Sequence, residues 1–121
     1  MSVGKIVQIV NKLINATDDG KVNWEETEIE DVFQVSYPSY SIRLFKTPSE
    51  TDPGDIDYVI SILNENGKIL ESATDVALKD LLPDSYLKMK ALHESAKGYA
   101  LGIEQTLDKI ISDLPGEDIP F

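Results

Sequence analysis

Carboxylates dominate the chemistry this chain can offer. Glu25, Glu26, Glu28, Glu30 and Asp31 crowd one short stretch, and Asp52, Asp55 and Asp57 another. Paired carboxylates can move protons or hold a divalent ion. Runs this dense also describe a solvated edge, where charge discourages strand-to-strand aggregation, and that is the reading adopted. His93 is the single histidine, next to Glu94 and with Lys90 and Lys97 about a turn away on either side. It is expected on the surface of a helix, because a general base needs a pocket and a partner. The absence of cysteine removes disulfides, thiolate nucleophiles and the usual nitrogen–sulfur ligands of zinc. Serines are plentiful, yet the chain has no nucleophile-elbow sequence and no glycine-rich phosphate loop. No catalytic residue, no metal and no cofactor is expected, and the chain reads as a non-enzyme.

One segment imitates a calcium-binding EF-hand loop. From Asn15 to Glu26, Asp19, Gly20, Val22 and Glu26 fall at the fifth, sixth, eighth and twelfth places, and Asn23 suits the ninth. Asn15 stands where the usual aspartate belongs, Thr17 fills the third place, and no second loop follows to pair with it. A glycine-capped helix end leading into a strand accounts for the same residues.

Charge narrows the partners. The formal net charge is −11, from 22 acids against 11 bases. Those bases are scattered and include one arginine, Arg43, whereas phosphate backbones are gripped by clustered Lys and Arg. Direct nucleic-acid binding is not expected. The apolar run from Met1 to Ala16 is interrupted by Gln8, Asn11 and Lys12, unlike a signal peptide. No apolar stretch approaches the roughly 20 residues a bilayer span requires. The expectation is a soluble, cytoplasmic chain, with no membrane partner.

Periodicity supplies the elements that would carry these residues. Val3, Ile6, Val7, Val10, Leu13 and Ile14 form one stripe of a helix, with Ser2 suited to cap its start and Gly20 its end. Phe33, Val35 and Tyr37 alternate with polar residues, as do Tyr40, Ile42 and Leu44 after Pro38-Ser39. Two strands joined by a tight turn explain this, with Trp24 expected on a short strand before them. A loop from Thr47 to Asp55 precedes a strand near Tyr58 to Leu63. Asn66-Gly67 signals a two-residue hairpin that would set Glu65 opposite Lys68, and Ile69 and Leu70 continue the return strand. Asp75 to Leu82 suits a short helix, and Pro83-Asp84-Ser85 a break followed by a cap. Met89, Leu92, Ala96, Tyr99, Ile103, Leu107, Ile110 and Leu114 then give one long helix, ended by Pro115-Gly116.

The expected fold is α+β, in the order α-β-β-β-β-α. An antiparallel meander of four to five strands packs with an N-terminal helix and a long C-terminal helix. Residues 1–114 form a single domain, and residues 115–121 form a flexible acidic tail. On the long helix, Ala91, Ser95, Gly98 and Gly102 make a second stripe of small residues. Each mid-helix glycine costs about 1 kcal/mol relative to alanine, so close approach of the first helix, or of a second subunit, is expected to offset it. Packing within the chain is preferred, and the choice between monomer and dimer stays open.

The last five residues, Glu117-Asp118-Ile119-Pro120-Phe121, resemble the C-terminal tip of bacterial single-stranded DNA-binding proteins, in which acids precede a terminal Ile-Pro-Phe. In that family the tip docks on DNA replication, recombination and repair proteins. The resemblance implies a protein partner with an apolar pocket rimmed by Lys and Arg. Phe121 would enter that pocket, Glu117 and Asp118 would steer it, and Pro120 would limit the entropy lost on binding. The body lacks the basic, aromatic groove of that family's barrel, so imitation of the tip is implied rather than membership. A second resemblance spans most of the chain. Leu13-Ile14-Asn15-Ala16-Thr17 through Gly20 and Trp24-Glu25, Leu92-His93-Glu94-Ser95-Ala96-Lys97, and Leu107-Asp108-Lys109-Ile110 look like small uncharacterised bacterial proteins. It implies a bacterial or phage origin and no activity. The function expected is a protein-interaction domain that docks through its acidic tail. The rivals are an immunity- or antitoxin-like inhibitor acting through the acidic surface and, behind it, a small hydrolase or calcium binder.

Overall fold

The computed structural model describes residues 3–116. Glu117, Asp118, Ile119, Pro120 and Phe121, the expected docking tip, lie outside the described residues. The chain runs α1 (Val3–Asp18), β1 (Glu25–Glu26), β2 (Phe33–Ser36), β3 (Tyr40–Pro48), β4 (Ile56–Asn64), β5 (Ile69–Thr74), α2 (Asp75–Leu78), α3 (Ser85–Leu101) and α4 (Ile103–Asp113). The five strands pair antiparallel in chain order, so the α+β meander expected from the sequence is the fold.

Strand alternation makes the sheet two-faced. Phe33, Leu44, Ile60 and Ala73 form one row in register, and Val35, Ile42 and Ile62 another. Both rows share the face that meets Ile6, Val10 and Leu13 of α1 and Met89, Leu92 and Ala96 of α3 in the core. On the opposite face Gln34, Arg43, Ser61 and Ser72 form a polar row. There the Arg43 Nε–H donates to Gln34 Oε1 at 2.6 Å, and the Ser61 and Ser72 hydroxyls lie 2.7 Å apart.

The turns show where local rules prevailed. Tyr37 N–H donates to the Tyr40 carbonyl at 2.8 Å, closing the Pro38-Ser39 turn. The second hairpin differs from expectation. Asn64 N–H donates to the Lys68 carbonyl at 2.8 Å, and Asn64 Oδ1 accepts from the Asn66 and Lys68 amides at 2.9 and 3.0 Å. The loop is therefore Glu65-Asn66-Gly67, with Gly67 at φ 80, and Asn64, not Glu65, stands across from Lys68. An Asn side chain that binds the turn's own amides favours this three-residue form. After β5, the Thr74 hydroxyl accepts from Ala77 N–H at 3.1 Å and starts α2. α2 stops at Leu78, short of the expected Leu82. Ser85 does not cap α3 with its side chain; its hydroxyl donates to the Asp75 carbonyl at 2.7 Å. Asp75 is itself buried, and its Oδ1 accepts from Tyr58 N–H at 2.8 Å. One residue thus ties β4 to the start of α3.

The expected long helix is two helices. Gly102 adopts φ 61, and its N–H turns back to the Tyr99 carbonyl at 3.3 Å. Glycine enters this left-handed region without the clash a Cβ would bring, so the chain bends there. The small-residue stripe divides accordingly. Ala91 and Ser95 face Ile14 and Asp18 of α1 across a shallow cleft, while Gly102 serves the break. Gly98 has neither reason, since a Cβ placed on it meets nothing within 4 Å. Gly98→Ala is therefore expected to raise stability by about 1 kcal/mol, read as a higher urea midpoint at unchanged slope.

Candidate functional site

The site begins at that glycine. Thr106 N–H donates to the Gly102 carbonyl at 3.0 Å and opens α4. No residue of α4 is buried. Ile103, Leu107, Ile110 and Ile111, with Leu114 just beyond, lie on one side of the helix and remain exposed, Ile111 at 74% and Leu114 at 66%. At 3.6 residues per turn these five form a single stripe. Glu104 and Asp108 border one side of it and Asp113 the other, against the single base Lys109. Isolated helices shorter than about 12–15 residues are marginal in water. With its stripe uncovered among the described residues, the 11-residue α4 is short for that limit.

A second apolar feature is a cleft of about 370 Å³ between α1 and the sheet. Ile9, Leu13 and Ala16 of α1 form one wall, and Ile42 and Ile62 the other. Tyr37 and Tyr40, stacked with ring centres 5.0 Å apart, stand at one end. Lys12, Lys21 and Val22 complete the lining. The end of α1 places Lys21. Gly20, at φ 70, donates to the Thr17 carbonyl at 3.0 Å, and Lys21 N–H donates to the Ala16 carbonyl at 2.8 Å. These are the paired bonds of a Schellman cap. Among the described residues neither lysine has a carboxylate within ion-pair distance; the two ion pairs there are Arg43–Glu28 at 3.6 Å and Lys97–Asp31 at 3.5 Å.

The other residues singled out in the sequence occupy structural positions. Asn15 to Glu26 folds as the end of α1, the Gly20 cap and the short β1. Thr17, at the third place of the calcium pattern, is buried, and its hydroxyl accepts the Trp24 indole N–H at 3.0 Å. It faces the core rather than the loop centre. Among the described residues no cluster of three or more His, Asp or Glu could hold a metal. Glu25 and Glu26 are exposed on the edge strand β1. Asp52 and Asp55 sit in the β3–β4 loop, and with Asp57 they line a shallow cleft beside Asp75 and Tyr86.

His93 is a correction. It is 4% exposed, not on the surface. It lies one position from Leu92, four from Met89 and three from Ala96, so the buried face of α3 is wide enough to include it. Its Nε2 lies 2.8 Å from the Asp31 carbonyl, which can only accept, so this nitrogen carries the proton. The ring packs on Phe33 and Tyr58 at 5.2 and 5.6 Å. Burial first, then the nearby Tyr86, Glu94 and Asp75, raises the Tyr58 phenol above its ordinary range. This cluster is a packed structural corner that holds the β1–β2 loop against α3.

Sequence reasoning missed the break in the last helix and the cleft. Gly102 inside an otherwise periodic run was the signal for the first. Tyr37 and Tyr40, which carry the core-facing alternation up to either side of the Pro38-Ser39 turn, were the signal for the second. No family model, no curated protein and no solved structure matches this chain. Among the described residues no helix is long and apolar enough to cross a membrane.

Proposed function

We propose that this chain is a non-enzymatic protein-interaction domain whose docking element is the C-terminal segment from Ile103 to Phe121. The observation that carries this reading is α4, a helix with a full aliphatic stripe and no buried residue. An amphipathic helix of this kind lays its stripe into an apolar groove, with anchors at three- and four-residue spacing. Its acids, continued by Glu117 and Asp118, favour a groove with a basic rim and speed the encounter. The likeness of the last five residues to the tip of single-stranded DNA-binding proteins supports a partner in DNA replication or repair.

A fluorescence competition assay tests this. A labelled tip peptide of a single-stranded DNA-binding protein is bound to one of its receptors, and the full chain is titrated in. Displacement is expected, and a version lacking Phe121 should fail to displace. No displacement by either would remove the DNA-maintenance partner. The rival reading, an inhibitor using its acidic surface, instead predicts binding that weakens with salt and survives loss of the segment.

A further inference from the structure

The groove that α4 calls for, apolar and rimmed by lysines, is present on this molecule. We propose that two copies of the chain associate reciprocally, α4 of each seated in the α1–sheet cleft of the other. The inference rests on the reading of α4 as a docking element.

Three observations match the two surfaces. The first is length. Leu107 to Leu114 on the stripe and Ile9 to Ala16 on the cleft wall are the same seven-residue step, about 10 Å at the helical rise. The second is apolar surface, since the stripe carries Leu107, Ile110, Ile111 and Leu114, and the cleft offers Ile9, Leu13 and Ile42 with the stacked Tyr37 and Tyr40. The third is charge. In a chain of net charge −11, the cleft carries Lys12 and Lys21 and no acid. The stripe is bordered by Glu104, Asp108 and Asp113. Like charge across most of the rest of the surface opposes association, so the pairing of these two regions also selects the orientation.

The geometry at Gly102 favours exchange over folding back. The left-handed φ of 61 at Gly102 and its N–H bond back to Tyr99 set the direction in which α4 leaves α3. Exchange between two copies uses the same contact twice and closes under two-fold symmetry, leaving neither stripe nor cleft exposed. Partner capture through α4 would then compete with self-association.

Sedimentation equilibrium of the full chain across the micromolar range reads the proposal. A monomer–dimer equilibrium is expected. Lys12→Glu with Lys21→Glu should weaken it by about tenfold or more, and so should Asp108→Lys with Asp113→Lys. All four positions are exposed, so the fold should be retained, with circular dichroism as the check. Combining all four changes should restore most of the affinity, because charges are again opposed. A chain that stays monomeric throughout overturns the proposal. So does a dimer that responds to the α4 reversal but not to the lysine reversal, which would mean α4 pairs with α4. A monomeric chain that still displaces the tip peptide would overturn self-docking alone and leave the docking reading standing. A chain that dimerises as described but displaces nothing would remove the DNA-maintenance partner and leave self-docking through α4 standing.

Discussion

Leu44→Ala is expected to lower the unfolding free energy by about 3–4 kcal/mol. Leu44 lies mid-strand in β3 with none of its surface exposed, in register with Phe33 on one side and Ile60 on the other. Those neighbours are held by ladders on both sides, so the sheet cannot close on the space left behind. The helices above it are fixed by Val10 and Met89, both fully buried. Interiors packed to crystal-like density relax little when a side chain is cut back, and the cavity adds to the lost transfer energy. Since domains commonly hold about 5–15 kcal/mol in total, the urea midpoint should drop by a large fraction at unchanged slope. A loss under about 1 kcal/mol would show that α1 and α3 settle onto the sheet freely, contrary to this packing.

The second large effect is at Trp24. It is 3% exposed, and its indole N–H donates to the buried Thr17 hydroxyl at 3.0 Å. This bond joins the end of α1 to the entry of β1, beside the Gly20 cap that places Lys21. Trp24→Ala should cost about 4 kcal/mol, from lost burial and cavity. Thr17→Val keeps the volume but strands the indole N–H, at about 1–3 kcal/mol. Trp24→Phe strands the hydroxyl in turn and adds a smaller cavity. The pair Thr17→Val with Trp24→Phe should be less damaging than the sum of the two by about 1 kcal/mol, because no polar group is then left unpaired. Strict additivity, measured by urea unfolding, would mean the bond contributes nothing.

Much of the fold was legible because its signals are local. The period of Val3 to Ile14 can only bury one side of a helix, and the alternation at Phe33 to Leu44 can only bury one side of a strand. Pro38-Ser39 closed a turn as its chemistry allows, and Gly20 capped α1 through the bonds its positive φ permits. The three-residue loop at Glu65 to Gly67 was less legible. Asn66-Gly67 permits two loop lengths, and the Asn64 side chain, two residues upstream, made the choice.

The functional surfaces were only half legible. The aliphatic residues of α4 carry the same three- and four-residue spacing as those of α3, so the sequence could not tell a stripe that meets the sheet from one that meets nothing. The left-handed turn at Gly102 made that distinction, by aiming the chain away from the core. The same limit applied to His93, which has Lys90, Glu94 and Lys97 close by along the helix while its neighbours in space are Phe33 and Tyr58. Periodicity reports that a helix has an apolar side; only packing decides how wide that side is and whether anything covers it.

By itself the sequence determined the order of elements, the two-faced sheet, the strongly acidic balance and the lack of cysteine chemistry, because these depend on residue types and spacings along the chain. The tertiary structure decided that Lys12 and Lys21 border one apolar cleft and that Thr17 belongs to Trp24 rather than to an ion. It also decided that the last helix stands clear of the domain. Each of these depends on which residues, distant in sequence, a close-packed core brings within contact and which it leaves outside.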